Sequence, residues 1–472
     1  MTDTIDHTRE GVDRRFLCRG RMPVPVGELA DWHFRPGALD RLIPPWQDVR
    51  VERATTEMVA GAETVLSVPL GPVRKLWHAR IEEAVPGVRF VDTQVSGPFG
   101  AWRHEHRFLA DGADASVVED DITYRMPFRP FGDVAAGRVE SDLERLFPWR
   151  HFRTSSDLRR HADDGPDRPW RVVMTGASGL IGRQLTAFLT TGGHEVRRLV
   201  RREPDRAAGE YRWNPEAGSI EPAVFEDVDA VVHLAGAGIA DERWTDDRMR
   251  VIRESRVKGT ALLAETLAGL ESPPEVLVSA SAVGIYGNRE EPVDDHGRVD
   301  DSWLAQVAVD WESAADAARA AGIRVVHPRI GIVLTPKGGA LGKMLTPFKL
   351  GLGGVVGSGT QMMSWIGIDD LIAAIHRSMV DASFVGPFNA TAPNPVPQRT
   401  FAKTLGEVLG RPTIAPLPAV VARGVFGRLA GPLLLEGVAA RPSGLLDRRF
   451  RFEAAELESC LRLLLHGTIP SA

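Results

Sequence analysis

Two hydrophobic periodicities divide the chain. Over its first third, apolar and polar residues alternate with a period of two at 63–68, 76–85, 88–95, 102–109 and 116–126. Turn-forming pairs such as Pro86-Gly87, Gly97-Pro98 and Asp111-Gly112 separate these runs. Such alternation predicts strands with one buried face. Helical spacing occurs at 26–32 and 37–42, and again over 133–160, which predicts one long closing helix. A strand, two short helices, a meander of strands and a long last helix make an α+β domain over 14–160, its curved antiparallel sheet wrapping the helix. Residues 1–13 lack an apolar pattern and are expected to form a disordered tail. The polar run 161–169 holds two prolines and a glycine and reads as a linker.

From residue 170 onward short apolar runs alternate with helical ones. Strands are expected at 170–175, 195–200, 229–236, 275–281 and 323–333, with helices at 183–191, 246–270 and 303–320. This βαβ order predicts an α/β domain over 170–472, a doubly wound parallel Rossmann sheet. A smaller substrate lobe is expected from about 334–362 and 395–450, with helical spacing at 400–409 and 418–435. The glycine-rich stretch Gly338 to Gly359 reads as a mobile loop, and Asp369 and Asp370 as caps of a helix starting near Leu371.

Composition narrows the function classes. A chain of 472 residues, 43% hydrophobic and 25% charged, has the length for more than one core. No apolar run reaches the ~18 residues of a membrane span, and no secretory signal is expected at the start. Cys18 and Cys460 lie far apart without metal-site spacing, so a reducing, cytoplasmic setting is expected. A net charge of −6 argues against a dedicated nucleic-acid binder. His104 and His106 share one strand face, but a histidine pair without a third ligand reads as packing or solvent-facing, so no metal is expected.

The chemistry concentrates where the second pattern begins. Gly176, Ala177, Ser178, Gly179, Leu180, Ile181 and Gly182 join the first expected strand to the first expected helix. Gly176 permits the tight turn, Gly179 lets backbone approach a pyrophosphate, and Gly182 allows close helix–strand packing. Phosphates would face the positive end of the new helix, with the Ser178 hydroxyl beside them. The second strand ends in Arg201 and Arg202, where an NAD site usually offers a carboxylate to the ribose 2′-hydroxyl. Guanidinium groups there favour a 2′-phosphate, which predicts NADP(H). Leu234, Ala235 and Gly236 are small or apolar residues against which the adenine-ribose half can lie. Ser279, Ala280 and Pro328 complete the predicted cofactor set.

The GxxGxxG spacing resembles the extended short-chain dehydrogenase/reductases. A wider set of segments resembles the atypical, epimerase-like (nucleoside-diphosphate-sugar epimerase-like) reductases of that superfamily. It includes Ile252-Arg-Glu-Ser-Arg-Val-Lys-Gly-Thr260, Ser279-Ala-Ser-Ala-Val-Gly-Ile-Tyr-Gly287, Asp310-Trp-Glu312, Gly357-Ser-Gly-Thr-Gln361 and Ser364-Trp-Ile-Gly-Ile-Asp-Asp-Leu371. The resemblance implies hydride transfer between a nicotinamide and a small carbonyl or alcohol. It also exposes a gap, because the family's Tyr-x-x-x-Lys slots fall at about Leu304 and Ala308, and Arg256 replaces the usual asparagine. Only Ser281 keeps a matching role. Tyr286 is the nearest substitute acid, and Arg256 could orient an anion or a developing oxyanion. A catalytically weak NADPH-binding sensor is the alternative function; sugar-nucleotide epimerisation, which needs tightly held NAD and a proton-transfer tyrosine, is a minor one. Earlier in the chain, Trp102-Arg-His-Glu-His-Arg-Phe108, Glu119-Asp-Asp-Ile-Thr-Tyr-Arg-Met-Pro127 and Leu146-Phe-Pro-Trp-Arg150 resemble the START-like, polyketide-cyclase/dehydrase-like helix-grip fold. That resemblance implies an apolar cavity for a hydrophobic ligand, although Trp102, Phe108, Tyr124 and Phe128 could equally fill a core.

Overall fold

The computed structural model describes residues 3–55, 57–127 and 135–470. It divides into two compact units: Met1–Gly165, grouped with Ala187–Gly193 and Gly467–Ile469, and the remainder from Pro166.

The first unit is built on β1 (Thr4–Glu10), β2 (Asp13–Met22), α1 (Val26–Phe34), α2 (Ala38–Leu42) and β3 (Arg50–Ala54). These are followed by β4 (Glu63–Leu70), β5 (Val73–Val85), β6 (Arg89–Ser96), β7 (Ala101–Ala110), β8 (Ser116–Arg125) and α3 (Ala136–Asp164). The strands form one eight-stranded antiparallel sheet in the order β1-β2-β8-β7-β6-β5-β4-β3. The expected disordered tail is therefore in part a strand, with Thr4 to Glu10 paired opposite Arg19 to Asp13 across the Gly11 turn. Ladder hydrogen bonds hold it at the sheet edge, and its side chains stay mostly exposed, so no alternation announced it. The expected linker is corrected as well. α3 continues to Asp164 and stops at Gly165, before a proline whose ring disfavours helix in the preceding residue. The expected helix start at 133 and the Phe128 ring lie outside the described residues.

Two apolar clusters fill this unit, one around Met22, Leu29, Trp32, Phe90, Phe108 and Leu158, the other around Phe16, Trp102, Ile122, Tyr124 and Phe147. Truncating a ring such as Phe147 to alanine in such packing costs ~3–5 kcal/mol. His104 and His106 are buried rather than solvent-facing.

The second unit begins with β9 (Arg171–Thr175), α4 (Leu180–Thr191), β10 (Glu195–Val200), β11 (Glu210–Asn214), β12 (Ser219–Ile220), β13 (Ala230–His233) and α5 (Asp246–Ala268). It continues through β14 (Val276–Ser279), β15 (Ser281–Ala282), β16 (Arg289–Val293), α6 (Trp303–Ser313), α7 (Asp316–Ala320), β17 (Arg324–Ile330), β18 (Ile332–Leu334) and α8 (Gly339–Lys349). Then come β19 (Met362–Met363), β20 (Trp365–Gly367), α9 (Ile368–Val380) and β21 (Gly386–Ala390), followed by further helices that include Gln398–Leu409 and Ala419–Phe426. The main sheet runs β12-β11-β10-β9-β13-β14-β17, with β15 and β21 also on β17. Apart from β11–β12 its pairs are parallel. Strand order reverses direction between β9 and β13, the switch point where doubly wound sheets open a crevice. Helices cover such a sheet on both faces, so β13 and β14 are buried at every residue and read as continuous apolar runs.

Two expectations fail here. Half of the glycine-rich stretch is not a loop but α8, whose Leu341, Leu345 and Phe348 are buried at helical spacing. Asp369 and Asp370 do not cap α9; they lie in its first turn, behind an N-cap at Gly367 with no side-chain bond. Asp370 instead accepts from the amides of Glu453 (2.8 Å) and Ala454 (3.4 Å), tying down the C-terminal segment. No helix among the described residues is long and apolar enough to cross a membrane.

Candidate functional site

The turn between β9 and α4 depends on three glycines, each for a different reason. Gly176 has φ +70°, and a Cβ there would lie 2.8 Å from the Leu234 carbonyl carbon and 2.9 Å from the Ala235 nitrogen. Only glycine lets this turn touch the end of β13. A Cβ on Gly182 would sit 2.2 Å from the Gly176 oxygen and 2.7 Å from Ala177 Cα, so α4 packs on the turn at a distance no side chain permits. Gly179 would meet nothing but the Gly176 oxygen at 3.1 Å, and both Gly179 and Ser178 are exposed. The first amides of α4, from Leu180 and Ile181 on, have no partner within the helix and concentrate its positive dipole end there. Ala177 is buried beneath the turn.

Thr175 locks the neighbouring strand end. Its Oγ1 accepts from the Leu234 amide (3.2 Å) and the Ala235 amide (3.3 Å) and lies 2.7 Å from His233 Nδ1. Burial pushes His233 down to about 4, so this ring is neutral at pH 7. Gly236 follows on the surface, and a Cβ on it would face Arg256 Cζ at 3.4 Å.

Arg256 is a charged group beside Gly236. Its Nη1 donates to the Ala237 and Ile252 carbonyls, both at 3.0 Å, and its guanidinium lies 5.0 Å from the centre of the Trp311 ring. The pairings that could have neutralised it are taken. Glu254 holds Lys258 and Asp310 holds Arg253. Among the described residues no carboxylate pairs with Arg256. Burial, then the charge of Arg248, lowers it to about 10, which leaves it a cation at neutral pH.

The two arginines after β10 separate in role. Arg202 is committed, donating to Glu210 Oε1 at 2.6 Å and to the Glu203 carbonyl at 2.9 Å. Glu210 is itself buried and also receives the Asp205 amide at 3.0 Å. Arg201 is exposed and no carboxylate pairs with it among the described residues. The expected pair of phosphate-binding cations is thus one available cation braced by a neighbour. Ser279 ends β14 with its hydroxyl buried and lacking a hydrogen-bond partner among the described residues, and the Ala280 amide donates to the His233 carbonyl at 3.0 Å. Pro328 lies level with them on the neighbouring strand β17, between the Val278–Val326 and Ser281–Arg329 pairs. It is buried there opposite Phe388.

Ser281 and Tyr286 are joined by residues the sequence reading passed over. The Ser281 hydroxyl donates to Glu312 Oε1 at 2.7 Å. Arg329 grips the same carboxylate through Nε and Nη2, both at 2.8 Å, and its Nη1 donates to the Tyr286 hydroxyl at 2.9 Å. Tyr286 in turn donates to Asn389 Oδ1 at 2.8 Å. Tyr286 is fully buried in an apolar cluster, and burial raises it above the ordinary phenol range despite Arg329. A proton donor must reach its substrate, so the expectation of Tyr286 as the acid gives way to a packing and bracing role. Leu304 packs its side chain on Gly284, and Ala308 is buried. Glu312, Arg329 and Asn389 were findable in part. Asp310-Trp-Glu312 stood out as a motif, and an arginine inside an apolar strand demands a buried partner.

A parallel α/β sheet with a glycine turn at its switch point defines a Rossmann-type, NAD(P)-binding class of fold. The chain belongs to the NAD dependent epimerase/dehydratase family, whose profile matches residues 172–389. An epimerase family protein of Mycobacterium bovis is 42% identical over 282 residues, 60% of this chain and 93% of that protein. Among solved structures, a nucleoside-diphosphate sugar epimerase from Corynebacterium glutamicum superposes with TM-score 0.79 at 32% identity, covering 96% of this chain and 90% of that one. The human epimerase family protein SDR39U1, solved with NADPH, superposes with TM-score 0.58 at 34% identity, covering 63% of this chain and all of the human one.

Proposed function

We propose that the second unit binds NADP(H) and serves a reductase acting on a small carbonyl or alcohol. The observation that carries this reading is the glycine turn at the switch point, with exposed Arg201 at the end of the adjacent strand. NADPH in the human relative supports it. Gly176, Ala177, Ser178, Gly179, Leu180, Ile181 and Gly182 would hold the pyrophosphate, Leu234, Ala235 and Gly236 the adenosine ribose, and Arg201 the 2′-phosphate. Arg202, fixed on Glu210, lends its charge from behind. When bound, the cofactor supplies hydride. The chain supplies a fixed cation in Arg256, held by two carbonyls and Trp311 and free of any counter-ion. A preorganised charge of that kind stabilises developing negative charge without reorganising.

Replacement of Arg201 by Asp tests the proposal. NADPH affinity by calorimetry should fall about 10–100-fold, the worth of a charge-assisted hydrogen bond, while NADH affinity holds or rises. Equal NADPH binding by both proteins overturns it.

A second reading, an NADPH-binding sensor with little turnover, draws on Leu304 and Ala308 in the proton-transfer slots and on the burial of Tyr286. Loss of nicotinamide absorbance with a panel of aldehydes, ketones and quinones separates the two. For the first unit we infer the START-like helix-grip fold, supported by two short helices after β2, the meander β3–β8 and the long α3.

A further inference from the structure

The first unit carries a buried constellation that the cofactor site does not use. β6 and β7 pair so that Asp92 stands opposite His104, and β7 and β8 so that His106 stands opposite Asp120. Opposed residues share a face, as do His104 and His106 two positions apart. All four therefore project from one side of the sheet. His104 Nδ1 lies 3.4 Å and His106 Nε2 3.9 Å from the same oxygen, Asp92 Oδ2, and the three donor atoms lie within 4.8 Å of one another. These separations are long for hydrogen bonds. They are close to the ~3.3 Å between ligand atoms of a tetrahedral ion bound at about 2.0–2.1 Å.

The other ring nitrogens point to a second carboxylate. His104 Nε2 is 3.0 Å and His106 Nδ1 2.7 Å from Asp120 Oδ1, the latter poorly aligned for a hydrogen bond. Asp120 Oδ2 meets His151 Nε2 from α3 at 2.6 Å, and His151 Nδ1 meets Asp3 at 3.0 Å. Metal-bound histidines characteristically place their second nitrogen against a carboxylate, which fixes the ring and its tautomer. Both rings here do so, on the same residue.

We propose that Asp92, His104 and His106 bind a divalent first-row transition-metal ion. Asp120, held by His151, is the positioning residue behind the two imidazoles. Two histidines and one carboxylate leave further coordination positions open, the arrangement of a site that accepts water or a small oxygen ligand. The histidine pair, expected to lack a third ligand, has a carboxylate beside it in the structure. Asp92 comes from the neighbouring strand.

Full-length protein, stripped with chelator and titrated with cobalt(II), should show the visible bands of a low-symmetry N/O site, and zinc(II) should displace them. Asp92→Asn, at a partly exposed position, should abolish the bands and keep the wild-type circular dichroism spectrum. Asp120→Asn should weaken cobalt binding about 10–100-fold. Cys18→Ser should leave the bands unchanged. The proposal is overturned by a wild-type protein that takes up neither ion, or by a folded Asp92→Asn variant that binds as well. It is overturned too by bands with sulfur-to-cobalt charge transfer that vanish in Cys18→Ser, since Asp3, Cys18 and His151 would then be the ligands.

Discussion

At the scale of single residues the site is a matter of close approaches. Gly182 lets α4 pack so closely on the turn that a Cβ there would overlap the Gly176 oxygen. Gly182→Ala must separate α4 from the turn, and overpacking of this kind costs ~1–3 kcal/mol. The expected result is a lower melting temperature together with weakened NADPH binding by calorimetry. Tyr286→Phe makes the opposite kind of statement. It removes one hydroxyl that joins Arg329 to Asn389, so stability should fall by about 1–3 kcal/mol with little change in kcat for any reductase activity found. A collapse of kcat with unchanged stability would return Tyr286 to the chemistry. The glycines were legible in the sequence because no other residue fits such turns. The split between Arg201 and Arg202 was not, since Glu210, the partner of Arg202, lies on another strand.

Between elements, the buried Glu312–Arg329 ion pair and the Ser281 hydrogen bond to it hold β15, α6 and β17 in place. Glu312 is pushed up by burial, but Arg329 outweighs this and holds it below the ordinary carboxylate range. A depressed carboxylate stabilises the fold above its unfolded pKa, and that contribution is lost as pH falls through the folded value. Glu312→Gln leaves Arg329 buried without its counter-charge and should cost ~3–5 kcal/mol, measured by urea denaturation at neutral pH. The wild-type advantage should shrink as the pH is lowered below about 4. His233 works over a different window. Its folded value of about 4 lies below the ordinary 6.5, so the unfolded chain binds the extra proton between those limits. Stability should fall as pH drops from about 6.5 towards 4, and a His233→Gln variant should lose less over that window. Most element spans followed from periodicity alone. Among the elements missed, which include β3, β11, β16 and β21, β1 is a polar edge strand and α8 hides its apolar stripe among glycines.

Across the whole molecule, the Mycobacterium bovis and human relatives are matched over 93% and all of their length by only 60% and 63% of this chain, whereas the Corynebacterium glutamicum structure covers 96% of it. Residues 166–472, expressed separately, should therefore fold and bind NADPH as the full chain does, checked by circular dichroism and calorimetry. The sequence by itself determined the Rossmann unit, its glycine turn and the arginines at the strand end from which NADP(H) is proposed, because those features arise from local backbone geometry and from charge at a strand end. Tertiary structure alone decided the rest. Which arginine is free, why Tyr286 is buried, and how Asp92 joins a histidine pair all depend on residues far apart in the chain. Strand register and helix packing bring these together, and neither leaves a periodic mark in the sequence.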